Sequence, residues 1–283
     1  MATMLTADGS LGLHERVTAT DWLHLMELLH DDTFDPLIDR FRSTYAYRGM
    51  SSASWDMLTS ISRLGPPYDG MELNIVKQFE KYAGEMVKLD DNPWRTISIG
   101  QHYGLPTRLL DWSFSPQIAL HFATEDIEKY DQDGVVWKVN FKDAHSLLRD
   151  DEKNLLRATG SSVFTFDVLQ KTFPTIEKFE GQTTNSPLGH VSRAIFFEPP
   201  SIDSRIVNQF AYFSALSDRN DNFTSWVLSA DISRVVRSRM IVIPKDLKWE
   251  VRDKLDQSNI NERMLFPGIA GLCSWLRRHY KPR

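Results

Sequence analysis

The sequence predicts a single α+β domain, a central sheet with peripheral helices. Three observations predict it. Short β-rich runs and longer amphipathic runs both occur, but without the regular strand–helix alternation of a doubly wound sheet. No Pro-, Gly- or Ser-rich stretch divides the 283 residues into two cores, and no internal repeat is present. Hydrophobic residues make up 41% and charged residues 25%, a globular composition that excludes a disordered, collagen-like or disulfide-framework chain.

The elements follow from periodicity and punctuation. Thr20 is placed to cap a helix carrying Trp22, Leu25, Met26 and Leu29 on one face. Thr44 to Arg48 is β-rich and stops at Gly49, which reads as a strand and a turn. Leu73, Val76, Phe79, Ala83 and Met86 recur at three- and four-residue steps and predict a helix over about residues 71–89. Ser115-Pro116 is a helix start: serine accepts N–H groups of the first turn, and proline at the first position forfeits no bond. That helix buries Ile118, Ala119, Phe122 and Ala123. Residues 135–139, 194–197, 225–228 and 240–243 read as strands. Pro244 ends the last strand and opens a helix through Leu247, Val251 and Leu255. Pro267 opens the final helix, with Ile269, Leu272, Cys273 and Leu276 on its inner face and Cys273 as a buried, inert thiol. Residues 143–192 are the least patterned and form a candidate insertion flanking a site. The organisation is thus an N-terminal helical segment, 1–40, and a domain over 41–283.

Charge narrows the function. Thirty-three Lys and Arg stand against thirty-eight Asp and Glu, a net charge of −5, which argues against binding nucleic acid through bulk charge. No apolar window is long enough to span a membrane, and the first thirteen residues lack a secretory signal's basic start and apolar run. One cysteine excludes an intrachain disulfide and a Cys-rich zinc site, so the reducing cytoplasm is the simplest compartment. Glycine-rich dinucleotide, Walker, Gly-x-Ser-x-Gly and His-Glu-x-x-His motifs are absent. His102 with His121 is the nearest approach to a metal pair, and no metal is expected. The acidic clusters Asp31-Asp32, Asp90-Asp91 and Asp150-Asp151-Glu152 read as solvated loops or helix ends. The basic runs (Arg234, Arg237, Arg239 and Arg277, Arg278, Lys281, Arg283) read as solvated faces.

Chemistry concentrates in residues 100–124, where Gln101, His102, Thr107, Arg108 and Asp111 interleave with apolar and turn residues in a loop entering a capped helix. Here the chain resembles the FRG domain family. Tyr47-Arg48-Gly49 followed by Ala53-Ser54-Trp55 resembles its naming signature, with Tyr for Phe. The run from Gln101 to Trp112 (QHYGLPTRLLDW), then Ser115-Pro116 with Ala119, Phe122 and Ala123, resembles its most distinctive block. Arg205-Ile206, Gln209 and Phe213 form a looser block, with Ala211 where the family usually has Gly. Residues 265–271 resemble the closing motif, with Gly268 for a more usual acid.

A more distant resemblance is to ADP-ribosyltransferase folds, whose early strand bears Arg or His, second strand Ser or Tyr before a helix, and late strand Glu or Gln. It implies a mostly antiparallel split sheet, with Arg48, the Asp111–Ser113 segment and Gln209 in those three places. It also implies NAD as substrate, with transfer of ADP-ribose to a protein or nucleic-acid acceptor or NAD hydrolysis, as suits a toxin or antiphage effector. The catalytic candidates are then Arg48, His102, Asp111 and Gln209. The candidates for holding the nucleotide are Arg48, Gly49, Gln101, His102, Tyr103, Thr107, Arg108 and Trp112. Arg48 or Arg108 would clamp phosphate, His102 would bond a ribose hydroxyl, Tyr103 or Trp112 would stack, and Asp111 would stabilise the oxocarbenium-like cation. Gln209, a neutral amide, cannot do this, so Asp111 or Glu198 would have to. The alternatives remain open: a non-enzymatic nucleotide- or partner-binding module; Arg48 or Arg108 paired with Asp111 structurally; His102 as a core histidine; Asp111 as a helix cap; Trp112 in the core.

Overall fold

The computed structural model describes residues 13–87, 89, 91–180, 183–186, 189–199, 201 and 204–282. Asp90, Arg283 and residues 1–12 lie outside the described residues. Among the described residues the first elements are strand β1 (His14–Thr18) and helix α1 (Trp22–His30). Asp21, one residue later than expected, caps α1: its carboxylate accepts from the backbone N–H groups of Leu23 and His24. A ribbon of β2 (Phe34–Asp35) and β3 (Arg40–Phe41) leads to β4 (Tyr45–Met50), which runs through Gly49 instead of stopping there. Helices α2 (Glu72–Ala83) and α3 (Pro93–His102) follow, then β5 (Leu110–Ser113) and α4 (Pro116–Ala123). Gln101 and His102 therefore end a helix, and only the residues after them form the loop. Ser115 makes no side-chain cap to α4; the Ser113 hydroxyl accepts from the Ser115 N–H instead.

Strand β6 (Gly134–Asn140) is buried along its whole length. Four helices follow: α5 (Phe141–Ser146), α6 (Asp150–Ala158), α7 (Phe166–Thr172) and α8 (Ile176–Phe179). Then come the ribbon β7 (Thr183–Ser186) and β8 (Gly189–Ser192), β9 (Ala194–Phe197), α9 (Ser204–Asn208) and β10 (Ala211–Leu216). Residues 225–228 are helical, not a strand, within α10 (Phe223–Leu228). Asn222 caps that helix, and Phe223, Trp226 and Val227 share one buried face at helical spacing. The chain closes with α11 (Ala230–Ser233), β11 (Ser238–Ile243), α12 (Lys248–Gln257), α13 (Glu262–Leu265) and α14 (Ile269–His279).

The architecture is mixed α and β, with one seven-stranded sheet in the order β1–β11–β6–β4–β5–β10–β9. β1 runs parallel to β11 and every other neighbouring pair is antiparallel. Alternation sends Tyr45 and Tyr47 of β4 to a core with α1, α4 and α12, and Ala46 and Met50 to a core with α5 and α10. A third core sets Ile195, Phe197, Phe213 and Ala215 of β9 and β10 against Trp94, Ile97 and residues from Leu148 to Phe179. The weakly patterned stretch thus supplies Leu156, Phe164, Leu169, Phe173 and Phe179 to the interior.

Two local expectations are reversed. α14 turns Ile269, Leu272, Cys273 and Leu276 outward, anchoring itself through Gly271 and Arg278. The acidic and basic runs are partly internal: Glu152 is buried against Arg193, and Arg278 against Glu262 and Asp256. Among the described residues, no helix is long and apolar enough to cross a membrane.

Candidate functional site

Strand β4 pairs with β6 from Tyr45 to Met50, but it meets β5 at one register pair only, Tyr47 with Ser113. Beyond that pair the strands part, and a cleft of about 270 Å³ opens between them. Arg48 and Gly49 line it from β4, Gln101 and His102 from the end of α3, and Asp111 from β5. Phe122 and Glu125 line it from α4 and the turn beyond, and Arg205 and Gln209 from α9 and the turn beyond.

The sequence fixes β4 against α4 through Gly49. A Cβ there would lie 1.7 Å from the Ala119 carbonyl oxygen and 2.6 Å from the Ala123 nitrogen. Only glycine lets the helix lie directly on the strand backbone. Arg48, next to it, donates from Nη1 to the Asp111 backbone carbonyl at 2.5 Å, so it bridges the parted strands without using the Asp111 carboxylate. Its Nε is buried with no hydrogen-bond partner among the described residues. Burial lowers the guanidinium pKa, against the opposing pull of Asp111.

The Asp111 carboxylate is exposed and accepts from Gln101 Nε2 at 3.0 Å. Gln101 is held from behind: its Oε1 accepts from Thr107 Oγ1 at 2.6 Å and Ser60 Oγ at 3.3 Å. Thr107 is fully buried, so it orients Gln101 and does not face the cleft. Gln209 donates from Nε2 to the Leu265 carbonyl at 3.1 Å, and its backbone carbonyl accepts from Ser113 Oγ at 2.8 Å. Its amide therefore ties the turn before β10 to α13.

Besides Thr107, three more proposed nucleotide-holding residues have their side chains engaged away from the cleft. Arg108 is 4% exposed; it donates from its backbone N–H and Nε to the two oxygens of Glu72, and from Nη2 to Glu180 at 2.6 Å. It is a buried structural cation, and Asp111 is not its partner. Tyr103 is 63% exposed and lines a separate apolar groove along α2. The Trp112 ring is buried against Phe196 and Phe223, with Nε1 donating to Ser214 Oγ at 2.6 Å, so only its strand position borders the cleft.

Sequence reasoning missed Glu125 and did not assign Arg205 to the site. Glu198, the alternative acid, follows β9 and does not line the cleft. Glu125 lines the cleft with 43% of its side-chain surface exposed, and the surrounding protein desolvates it. This desolvation pushes its carboxyl up to about 7, against the lowering pull of Arg252. The Arg205 guanidinium lies 5.1 Å from the centre of the Phe266 ring. The only sequence signal for Glu125 is its place four residues beyond His121, which points to the same helix face. The cleft thus gathers two cations and two acids of different environment, suited to an anionic ligand on which positive charge or a proton develops.

No curated protein and no solved structure matches the chain. Residues 43–132, the span that runs through β4, α2, α3, β5 and α4, match the FRG domain model: the chain carries an FRG domain, and that domain supplies most of the cleft.

Proposed function

We propose that the cleft binds the reacting end of NAD or a related nucleotide and cleaves its nicotinamide–ribose bond, passing ADP-ribose to a macromolecular acceptor or to water. The observation that carries this reading is the convergence of Arg48, Arg205, Asp111 and Glu125 where the sheet parts. At about 270 Å³ the cleft is at the small end of ligand sites, so it takes the nicotinamide riboside and leaves the rest of the dinucleotide across the rim.

The chemistry follows from the residue types. The guanidiniums hold the diphosphate, and Gln101 and His102 face the ribose hydroxyls. The glycosidic bond breaks with its electron pair leaving on nicotinamide nitrogen, and the ribosyl cation forms beside the carboxylates. An acceptor O–H or N–H then attacks the anomeric carbon and gives its proton to Glu125. A carboxyl near 7 is matched to that transfer at neutral pH. Glu125 thereby supplies the acid that Gln209 cannot.

One observation favours a binding module instead. The Gln209 amide is engaged by the Leu265 carbonyl, so the late-strand position brings no charge to the ligand. The experiment is incubation of the purified protein with NAD, with and without cell lysate, following free nicotinamide by chromatography. Release without lysate identifies hydrolysis, and release only with lysate identifies transfer. No release in either, with no NAD-induced shift in Tm, leaves neither NAD reading standing.

A further inference from the structure

We infer that His121, held in one tautomer by Arg252, is a positioning residue for the Glu125 carboxylate, so that the C-terminal helices complete a cleft built mainly by residues 43–132. The inference deepens the proposed function and rests on its placing Glu125 at the reacting centre.

The tautomer follows from donor counting. Arg252 Nη1 lies 3.0 Å from His121 Nδ1. A guanidinium only donates, so Nδ1 must offer its lone pair. His121 has no exposed surface, and burial together with the Arg252 charge holds the imidazole neutral. Its single proton is therefore on Nε2. Among the described residues that nitrogen has no hydrogen-bond partner, and the Glu125 carboxylate lies 3.8 Å away. His121 lies in the last turn of α4 and Glu125 two residues past the helix end, so the chain's exit from α4 brings the acid back beside the imidazole. The gap is longer than a hydrogen bond, as such contacts often are before a ligand is bound.

A purely structural histidine in the same protein looks different. His145 satisfies both nitrogens inside the core: Nδ1 lies 3.0 Å from the Ser162 carbonyl, and Nε2 accepts from the Phe196 N–H at 2.9 Å. His121 satisfies only Nδ1, and its equally buried Nε2 is left facing Glu125.

Arg252 is itself fixed from outside the matched span. It reaches Glu262 of α13 at 3.5 Å. Glu262 accepts from Arg278 of α14 at 2.6 and 2.8 Å, and Arg278 also grips Asp256 of α12 at 2.7 and 2.8 Å. A carboxylate–guanidinium chain therefore runs from three C-terminal helices to the back of His121, as outer partners orient a working group elsewhere.

The test is NMR on the full-length chain with 15N-labelled histidine and 13C-labelled glutamate carboxyls. At pH 7, His121 should carry its proton on Nε2, in wild type and in Arg252→Lys, while Arg252→Met should mix the tautomers. The Glu125 titration midpoint should rise by about half a pH unit or more in His121→Phe, which loses the donor. It should stay near wild type in His121→Gln, which keeps an N–H. A proton on Nδ1, a charged imidazole at pH 7, or a Glu125 midpoint that His121→Phe leaves unmoved would overturn the inference. Should His121→Phe not fold, the wild-type tautomer and its dependence on Arg252 decide. These readings need no turnover, so absent nicotinamide release would refute the proposed function and leave them to be judged separately.

Discussion

Arg108 separates two accounts of the FRG block most sharply. Its sequence neighbourhood marks it as a phosphate clamp, whereas the fold buries it. With 4% of its surface exposed, it neutralises Glu72, itself 4% exposed, and bonds Glu180 at 2.6 Å. Arg108→Met removes the cation and leaves Glu72 with one backbone N–H, at 2.5 Å, as the remnant of that contact. Breaking a buried pair from one side costs about 3–5 kcal/mol, because the abandoned charge stays desolvated. A chain of this size loses about 2 °C of Tm per kcal/mol, so the drop should be about 6–10 °C. The companion variant Arg48→Met removes one bond to a carbonyl at the cleft wall and should lower Tm by about 2 °C or less. Calorimetry and NAD titration on both proteins, below either melting range, give the decisive comparison. Arg108→Met should be destabilised yet keep wild-type affinity, and Arg48→Met should melt normally and bind at least about tenfold more weakly. If Arg108→Met instead keeps its Tm and loses NAD, the Glu72 pair is dispensable and the clamp reading was right.

Three further outcomes follow from other contacts. Gly49→Ala should cost about 3 kcal/mol or more in urea unfolding, because its Cβ would meet helix backbone at 1.7 Å and 2.6 Å, where no side chain can yield; an unchanged midpoint would show that α4 does not rest on β4. Glu125→Gln should cut nicotinamide release about 100-fold with Tm moved by less than about 2 °C, and wild-type turnover should climb with pH through about 7 as the carboxyl ionises; a flat profile from pH 5.5 to 8.5 removes Glu125 from the reaction. Acid stability has a definite sign. Burial holds His121 at about 3 and His145 at about 4, against an ordinary 6.5, so below 6.5 the unfolded chain binds more protons and stability falls as pH falls. Glu125, raised to about 7, acts in the opposite direction between 7 and its ordinary 4.5. Burial also lowers His14 and His30, so the histidines outweigh that one carboxyl and stability slopes downward from pH 6 to 5. Urea titrations should show that slope, and a steeper one in Glu125→Gln; stability that rises over this interval contradicts the buried neutral histidines.

Legibility in the sequence tracked how local each cause was. The strands at 135–139, 194–197 and 240–243 and the proline-opened α4 were readable, because β-rich runs and Pro punctuation act within a few residues. Residues 225–228 looked like a strand on composition, but Asn222 and the spacing of Phe223, Trp226 and Val227 settle them as helix. β10 was hidden because its pattern, AYFSAL, is set by neighbours on both sides, β5 and β9, and not by alternation. α14 carries an amphipathic pattern but turns its apolar face outward, since Gly271 and the Arg278 ion pairs, not apolar burial, dock it.

The cleft was half legible for the same reason. Arg48, Gln101, His102 and Asp111 meet there because the blocks that hold them are short and their strands and helix ends adjoin. Arg108 and Thr107 sit in the same block and face away, since which side of the chain meets the cleft is decided by Glu72 and Ser60, 36 and 47 residues distant. Of the two acids that the sequence offers in place of Gln209, Asp111 lines the cleft and Glu198 does not. The second acid that the fold brings there, Glu125, comes from the turn after α4, and it is there because Gly49 admits the helix onto β4. The small residue of the Arg-Gly pair brings the carboxylate to the cleft, and the large one faces it across the opening. Arg48 and Gly49 are thus a single device, and a substitution at Gly49 should disable the site even in a variant that folds, by moving Glu125 away from Arg48.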